Sequence, residues 1–313
     1  MEAENNKQVP ARVLIFGASG HIGKPLAAFL TREAPQMALR LASRDAGRQA
    51  ELAKAFPQAE TVLADYADRA SLETATRDVD GVFAVTPTGT DEAEAMGNLV
   101  AALHTTNPSA YVVRLLGMQP ESNPRRIPQW LRDHGFGLPI QHPIAKSVLD
   151  ESDLPVTYLN CGATFMDNFL RWQSPALRQR RTLVWPERLI PYIDPVDIAE
   201  TAGRLFLSTN QRHFGQFHTM NNGHDLLYFR DAAKLMSDVW AEPITYEGSR
   251  EDFNREYTHM GEQRLNFLWN FFQYERDNEV VWALNDFVER MLGRKPKTLA
   301  QWLAENRDAI LGS

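Results

Sequence analysis

Residues 12–23, Arg-Val-Leu-Ile-Phe-Gly-Ala-Ser-Gly-His-Ile-Gly, carry the strongest structural signal in the chain. The apolar run Val13–Phe16 is typical of a strand that is buried on both faces, as in a parallel sheet. Three glycines spaced three residues apart follow this strand, and residues 22–32 then show the apolar spacing of a helix. A strand, a glycine-rich turn and a helix in this order predict a βα unit that binds the pyrophosphate of a dinucleotide, because backbone N–H groups and the helix dipole stabilise the anion.

The residues of this turn have different predicted roles. Gly17 permits the tight turn, Gly20 lets the backbone approach the phosphates, and Gly23 lets the helix pack closely on the sheet. A glycine turn without a ligand is the alternative interpretation, whereas a nucleophile elbow, Gly-x-Ser-x-Gly, is excluded because position 21 is histidine. The predicted cofactor contacts are the three glycines together with Ser19, His21 and Ile22.

The end of the second expected strand, residues 39–42, bears on the choice of cofactor. An NAD-binding unit usually places an acidic residue there to bind the ribose 2′-hydroxyl, but this chain has Ser43 and Arg44. A guanidinium can pair with a 2′-phosphate, so the sequence favours NADP, with a solvated surface arginine as the alternative. Asp45 is expected to cap the helix that follows rather than to bind the ribose.

Three further positions are expected near the cofactor. Asp65 follows the third expected strand and is a candidate for binding the adenine amino group. Thr86 and Pro87 end the fourth expected strand, close to where a nicotinamide ribose would lie. The alternative is that all three are ordinary turn residues.

Apolar runs and segments of helical spacing alternate as far as residue 160. This alternation predicts an α/β chain with a Rossmann-type doubly wound parallel sheet and a smaller, mainly helical C-terminal substrate lobe. We expect residues 1–160 to form the NADP-binding domain, with 195–220 returning to it, and residues 161–313 to form mainly the C-terminal substrate or cap lobe. Residues 117–139 are expected to be a loop, and the helices expected in the lobe are 194–207, 228–240, 251–260, 281–292 and 299–306.

Composition narrows the class of protein. The net charge of −7 over 313 residues argues against broad binding to nucleic acid or to an acidic membrane. The single cysteine, Cys161, excludes an intramolecular disulfide, and the scattered histidines predict no metal site. No apolar run is long enough to span a membrane and the first residues lack an apolar signal core, so we expect a cytoplasmic protein with residues 1–10 frayed.

The order of several motifs extends the interpretation to nearly the whole chain. The glycine turn, Arg44, Asp65 and Thr86-Pro87 are followed by His142-Pro-Ile-Ala-Lys146, by Phe165-Met-Asp-Asn168 and by Tyr192-Ile-Asp-Pro-Val-Asp-Ile-Ala199. This order resembles the NmrA-like family of atypical short-chain dehydrogenase/reductases. The resemblance implies the fold and NADP binding. It implies no single reaction, because the family includes reductases of quinones, azo dyes, imines and phenylpropanoids, and also NADP-binding redox sensors.

Lys146 and His142 are the candidate catalytic residues. Standard short-chain dehydrogenases carry Tyr-x-x-x-Lys on one helix face, where the tyrosine protonates a carbonyl oxygen and the lysine holds the nicotinamide ribose. Here His142 stands in the tyrosine position, and the resemblance often places histidine there. His142 is either a proton donor, since its reference pKa is near neutral, or a residue that starts the helix beside Pro143. Lys146 is expected to bind the ribose, with a surface lysine as the alternative.

The end of the fifth expected strand departs from ordinary dehydrogenase chemistry. Leu115, Leu116 and Gly117 stand in the region where a standard enzyme has a serine that donates a hydrogen bond. Reduction of ordinary ketones is therefore disfavoured. Hydride transfer to an activated acceptor, such as a quinone, an iminium or a conjugated carbonyl, needs less acid assistance and fits the sequence better.

The residues after the sixth expected strand are expected to run beside the nicotinamide. The cofactor contacts predicted there are Gly162, Ala163 and Phe165. Cys161 is expected to be packed rather than reactive, and a core helix is the alternative for the aromatic segment that follows. The side chains predicted to line an apolar substrate pocket are Met118, Phe165, Met166, Asn168, Trp172 and Tyr192.

The leading hypothesis is an NADPH-dependent reductase that transfers hydride to a small apolar conjugated or aromatic acceptor. The missing tyrosine and serine leave a first alternative, a non-catalytic NADP(H)-sensing regulatory protein that binds a protein partner. A second alternative is a redox-neutral isomerase or cyclase that uses the same pocket. The expected partner is a small-molecule substrate, without direct nucleic-acid or membrane binding, and a homodimer is left open.

Overall fold

The computed structural model describes residues 6–120, 127–134 and 137–312. These residues form two compact units. Unit 1 contains the described residues of Met1–Met118, Ser122–Cys161 and Pro195–Thr219, and unit 2 contains those of Gln119–Glu121, Gly162–Asp194 and Met220–Ser313. Within the described ranges, no helix combines the length and the apolar character that crossing a membrane requires.

Strands and helices alternate regularly through the first half of the chain. The strands and helices are β1 Arg12–Ile15, α1 Gly23–Glu33, β2 Ala38–Ser43, α2 Ala46–Ala55, β3 Glu60–Leu63, α3 Arg69–Thr76, β4 Gly81–Ala84, α4 Glu92–Thr106, β5 Tyr111–Leu116, α5 Gln129–His134, α6 Leu138–Asp150 and β6 Val156–Cys161.

The second half has shorter strands and more helix. The strands and helices are β7 Thr164–Phe165, α7 Ser174–Arg180, β8 Thr182–Val184, β9 Leu189–Ile193, α8 Pro195–Leu207, β10 Phe217–Met220, β11 Leu226–Tyr228, α9 Phe229–Trp240, β12 Thr245–Glu247, α10 Arg250–Glu256, α11 Glu262–Asp277, α12 Phe287–Leu292 and α13 Leu299–Leu311. A π-helical turn covers Phe169–Gln173, and 3₁₀ turns cover Gln211–His213 and Thr258–Met260.

Seven strands form one parallel sheet in the order β10-β6-β5-β4-β1-β2-β3. Ile15 pairs with Leu41 of β2 on one side and with Phe83 of β4 on the other, so these three strands end at the same edge. Because β1 lies between β2 and β4, the order of the strands reverses there, and ligands bind at the carboxyl ends of strands at such a point. The predicted Rossmann-type doubly wound parallel sheet is confirmed.

The central strands are buried because helices pack on the sheet. Val13, Leu14 and Ile15 have no exposed surface, which accounts for the continuous apolar run in the sequence. Among the helices of unit 1, α1 packs with α8, while α3, α4 and α6 pack side by side. Aspartates N-cap α2, α3 and α4, and Asp45 of the α2 cap accepts a hydrogen bond from the backbone N–H of Arg48 as predicted.

Unit 2 has its own core and two small sheets. One sheet has the order β11-β9-β7 and the other pairs β12 with β8. The core includes Phe169, Phe229 and Trp302, and helices α9 and α13 pack together. The expected mainly helical C-terminal region is confirmed.

Several local expectations were wrong. A sixteen-residue helix, α11, lies where none was expected, and the helix expected over 281–292 covers only Phe287–Leu292. Helix α5 lies inside the segment expected to be a loop, of which residues 121–126, 135 and 136 fall outside the described part. Residues 1–5, part of the N-terminal segment that was expected to be frayed, also lie outside the described part of the chain. Lys7 is buried, however, and its ammonium donates to the carbonyl of Phe206.

Candidate functional site

The glycine turn joins β1 to α1 at the switch point of the sheet. Gly17 has a φ of 65°, which a side chain would strain. A Cβ on Gly23 would lie 2.2 Å from the carbonyl oxygen of Gly17, so only glycine lets the helix start this close to the turn. No side chain caps α1 at Ile22, so the N-terminus of α1 offers backbone N–H groups to an anion. The turn therefore fits a pyrophosphate, as its spacing predicts.

Beside this turn, a cavity of about 240 Å³ lies in unit 1 at the carboxyl ends of β2, β3 and β4. Among the described residues that line it, Arg44 carries the positive charge, and Asp65, Asp91 and Glu94 carry negative charges. Its other lining residues are Tyr66, Ala67, Pro87, Thr88, Gly89, Thr90 and Ala95. The structure thus brings together three residues predicted to contact the cofactor, namely Arg44, Asp65 and Pro87.

The surroundings of Arg44 suit the recognition of a phosphate. Arg44 is exposed at the start of the β2–α2 connection, one residue after the strand ends. The hydroxyl of Ser43 and the backbone of Asp45 hydrogen-bond to each other, and the Asp45 carboxylate caps α2. Asp45 is therefore engaged with the backbone of its own helix, and Arg44 is the cationic side chain among the described residues that line the cavity.

Sequence reasoning missed a fully buried ion pair at the end of β4 and β5. Arg114 of β5 has no exposed surface and donates to the Glu92 carboxylate at 2.7 Å. Arg114 also donates to the hydroxyl of Thr86 at 2.9 Å, and that hydroxyl in turn donates to Glu92. The predicted site residue Thr86 is thus a partner of this pair. No motif signals the pair, because buried arginine and glutamate are rare and these two lie 22 positions apart.

Tyr66 is a second residue of the site that the sequence did not reveal. Its ring stacks on Phe16 with centroids 4.5 Å apart, and Phe16 immediately precedes the glycine turn. The ring also lines the cavity, and burial raises the pKa of its hydroxyl. Tyr66 is only 6% exposed, so its ring is a packed aromatic wall of the cavity.

His142 lies inside helix α6, whose first residue is Leu138, so it is not the helix-starting residue that one interpretation expected. The backbone N–H of Gly117 donates to His142 Nδ1 at 2.6 Å, which leaves the proton of the neutral ring on Nε2. Burial, reinforced by the charge of Arg114, lowers the pKa of His142 to about 3. His142 is therefore a neutral imidazole at physiological pH and not an imidazolium acid.

We expect the His142 ring to keep its Nε2–H tautomer from pH 5 to pH 8. Because its pKa in the folded protein lies below the unfolded value, the neutral ring favours folding fully above about pH 6.5, and this contribution declines as the pH falls towards 3. Two-dimensional ¹H–¹⁵N spectra of the imidazole, assigned with a His142→Gln variant, measure this directly. A titration midpoint between pH 6 and pH 7 for this ring would show that the assignment is wrong.

Lys146 lies one helical turn after His142 on the same helix. Its ammonium pairs with Asp150 at 2.5 Å and lies 4.7 Å from the centroid of the Tyr158 ring. The Tyr158 hydroxyl donates to the other oxygen of Asp150 at 2.7 Å. Lys146 therefore has partners in unit 1, and its predicted role at a ribose stays a prediction.

In unit 2, the positions predicted to lie beside the nicotinamide cluster around a short strand pair. Phe165 is half-buried on β7, which pairs with β9, and Gly162 and Ala163 precede it. The amide of Asn168 donates to the Thr164 hydroxyl at 3.2 Å. Trp172 is half-buried in the π-helical turn.

Three other residues predicted to line a substrate pocket are core residues here. Met166 and Tyr192 have no exposed surface and lie in the hydrophobic core of unit 2. Met118 is 8% exposed and packs in the core of unit 1. Burial raises the pKa of the Cys161 thiol to about 12, which agrees with the expectation that it is unreactive.

Asn160 on β6 was another residue that the sequence did not single out as structural. Its side-chain oxygen accepts from the N–H of Met118 at 2.6 Å, and its amide donates to the carbonyl of Met118 at 3.1 Å. The amide thereby continues the pairing of β5 and β6 beyond the end of the sheet.

Among the described residues, no group of three or more histidine, cysteine, aspartate or glutamate side chains could hold a metal ion.

Comparison with known proteins agrees with the geometry. Residues 17–169 match the model of a family described as NAD(P)H-binding. The chain is 25% identical over 295 residues to an NAD(P)H azoreductase of Xenophilus azovorans, covering 93% of this chain and 96% of that protein. It is 27% identical over 302 residues to a (4-alkanoyl-5-oxo-2,5-dihydrofuran-3-yl)methyl phosphate reductase of Streptomyces griseus subsp. griseus, covering 95% and 99%.

A solved structure has the same fold. An NADPH-dependent quinone oxidoreductase of Escherichia coli, complexed with NADPH, superposes with a TM-score of 0.76 at 18% identity. The match covers 94% of this chain and 99% of the other.

Proposed function

We propose that this chain, whose motifs resemble the NmrA-like family of atypical short-chain dehydrogenase/reductases, is an NADPH-dependent reductase that transfers hydride to a small, apolar, conjugated or aromatic acceptor. The observation that carries the proposal is the glycine turn at the switch point, with the Arg44-lined cavity beside it. Both relatives with known activities are named as reductases, and the azoreductase uses NAD(P)H.

The preference for NADPH over NADH rests on Arg44. The second strand ends without an acidic residue free to bind a ribose 2′-hydroxyl, because Asp45 caps α2. A guanidinium at this position pairs with a 2′-phosphate through charge-assisted hydrogen bonds. The carboxylates of Asp65 and Glu94, which also line the cavity, suit the amino group of adenine rather than a phosphate, whereas Asp91 caps α4.

We assign a residue of the chain to each part of the cofactor. The glycine turn binds the pyrophosphate, Arg44 binds the 2′-phosphate, and Tyr66 forms a wall of the cavity that receives the adenosine. Lys146 holds the nicotinamide ribose and adds positive charge there. NADPH, when bound, supplies the hydride.

The class of acceptor follows from the state of His142. A neutral imidazole whose pKa is about 3 cannot act as an imidazolium acid, but its Nε2–H can donate a hydrogen bond. Reduction of a simple ketone needs a proton delivered to a strongly basic alkoxide. Reduction of a quinone, an iminium or a conjugated carbonyl gives a product that needs less acid assistance. The two relatives act on an azo compound and on a ring with a conjugated carbonyl, according to their names.

The proposal is tested by following NADPH absorbance with a panel of quinones, imines and enones and with matched saturated ketones. We expect turnover with at least one conjugated acceptor and none with its saturated analogue. Tight NADPH binding without turnover on any acceptor would instead support a cofactor-sensing regulatory protein. Conversion of a ligand without net oxidation of NADPH would support an isomerase or cyclase.

A further inference from the structure

The stability of the sheet does not by itself account for the buried ion pair between Glu92 and Arg114. Arg114 is entirely buried and Glu92 is 2% exposed, so both charges have been removed from water. Such a pair is often no more stabilising than well-packed apolar residues of similar volume, because desolvation offsets the attraction. Stability alone therefore gives a weak reason for this pair, and its position in the fold gives a better one.

The pair lies where four backbone segments of unit 1 meet. Arg114 belongs to β5 and donates to the carbonyl of Ala84 at the end of β4, at 3.4 Å. Glu92 is the first residue of α4, and its backbone N–H donates to the side chain of Gln141 on α6 at 2.9 Å. The Nε2 atom of His142, the next residue of α6, lies 3.9 Å from the Glu92 carboxylate.

Helix α6 therefore forms hydrogen bonds with two neighbouring segments of unit 1. Gln141 attaches it to the start of α4, and His142 attaches it to the end of β5 through the N–H of Gly117. Lys146 lies one turn further along the same helix, so its position depends on these attachments. Thr86, two residues after the end of β4, hydrogen-bonds to both members of the charged pair.

We propose that Glu92 and Arg114 are positioning residues that hold Thr86 and the Lys146-bearing helix at the nicotinamide ribose. The inference rests on the proposed binding of NADPH. It assigns the two residues no contact with the acceptor. They act through Thr86 and through α6, whereas the cavity around Arg44 binds the adenosine half of the cofactor.

The test separates the two halves of the cofactor. In a Glu92→Gln/Arg114→Gln double variant both charges are removed, so that neither is left buried without its partner. We expect adenosine 2′,5′-bisphosphate, measured by calorimetry, to bind within about twofold of its wild-type affinity. We expect the fluorescence of bound NADPH, which reports the surroundings of the nicotinamide, to shift towards that of free NADPH. We expect kcat to fall by roughly 10- to 100-fold, the scale for misplaced reacting groups.

Two further variants separate a positioning role from a general loss of stability. Thr86→Val retains the charged pair and should change the fluorescence of bound NADPH in the same direction, even if the double variant does not fold. Thr157→Val is the matched control, because Thr157 is a fully buried residue near the start of β6 that bonds to Tyr111 and to the carbonyl of His213. It should lower the melting temperature and leave both the fluorescence and kcat unchanged.

The inference fails if the double variant shows wild-type NADPH fluorescence and wild-type kcat. It also fails if binding of adenosine 2′,5′-bisphosphate is lost together with the fluorescence, since the pair would then support the whole unit. If the wild-type protein binds NADPH but reduces no acceptor, the proposed reaction is wrong, and the fluorescence comparison still decides the role of the pair.

Discussion

Replacing Gly23 with alanine is expected to abolish tight NADPH binding. The new Cβ would lie 2.2 Å from the carbonyl oxygen of Gly17 and 2.9 Å from the Cα of Ala18, so backbone must move. That displacement turns the N–H groups of the turn away from the pyrophosphate. Losing two hydrogen bonds to a charged group, at about 1.5–3 kcal/mol each, raises the Kd by at least about 100-fold. The overpacking should also lower the free energy of unfolding by about 1–3 kcal/mol.

Gly97→Ala provides a control with the same chemical change. Gly97 lies inside α4, and a Cβ there would meet no heavy atom within 4 Å. We expect this variant to bind NADPH normally and to gain about 0.5–1 kcal/mol of stability, because alanine is the better helix former. Calorimetric titration and thermal unfolding of both variants measure the effects. Equal NADPH affinity for Gly23→Ala and Gly97→Ala would contradict the assignment of the turn as the pyrophosphate site.

Reversing the charge of Arg44 is expected to change the choice of cofactor. Arg44→Asp removes a charge-assisted pair with the 2′-phosphate, worth about 1.5–3 kcal/mol, and places a carboxylate there. The Kd for NADPH should rise by roughly 10- to 150-fold, while the Kd for NADH changes little. Titration of NADPH and NADH into the wild-type protein and the variant gives the ratio of the two dissociation constants for each protein.

Arg32→Asp is the matched control for this experiment. Arg32 lies in the last turn of α1, at the far end of the helix from the glycine turn, and its side chain is 66% exposed. Its ion pair with Glu33 is exposed and therefore contributes little to stability. An equal shift of the NADPH and NADH affinities in Arg44→Asp, or the same selectivity change in Arg32→Asp, would refute the role of Arg44.

The first half of the fold was predictable because local and tertiary preferences agree there. Strands such as Val13–Ile15 are buried on both faces and therefore stand out as continuous apolar runs. The glycines of the turn and the cap at Asp45 are local signals, since backbone geometry within a few residues demands them. The residues of the proposed cofactor site could accordingly be identified from the sequence.

The second half was harder to predict because tertiary contacts determine it. Helix α11 begins at Glu262, and the N-cap residue Gly261 has no side chain to mark this start. Aromatic residues such as Phe267, Phe271 and Phe272 also obscure the apolar spacing of the helix. The segment before Phe287 was expected to be helical, but the carbonyl of Ala283 instead accepts a hydrogen bond from Asn221 at 2.9 Å. Hydrogen bonds between distant residues leave no periodic pattern.

The ion pair between Glu92 and Arg114, which we propose positions residues at the nicotinamide ribose, could not be predicted from the sequence either. Thr86 and His142 were identified as candidates, but Glu92 resembles any acidic residue in the first turn of a helix. Only the structure shows that Glu92 accepts a hydrogen bond from Thr86 and lies 3.9 Å from the His142 ring. The structure also changed the interpretation of His142. Only the N–H of Gly117 and the burial of the ring reveal a neutral imidazole where a proton donor was one expectation.

Transfer of deuterium from the cofactor tests the central proposal most directly. The protein is mixed with NADPH carrying deuterium at C4, in each configuration, and with imines or enones, whose new C–D bond does not exchange with water, and the products are analysed by mass spectrometry and NMR. Quinones are followed by oxidation of NADPH instead, because the hydroxyl hydrogens of a hydroquinone exchange with water. The expected result is one equivalent of deuterium, from one configuration only, on the β-carbon of a reduced enone or on the carbon of a reduced imine. Tight binding of NADPH with no deuterium in any imine or enone product, and with no oxidation of NADPH by any quinone, would contradict the assignment of this chain as a reductase.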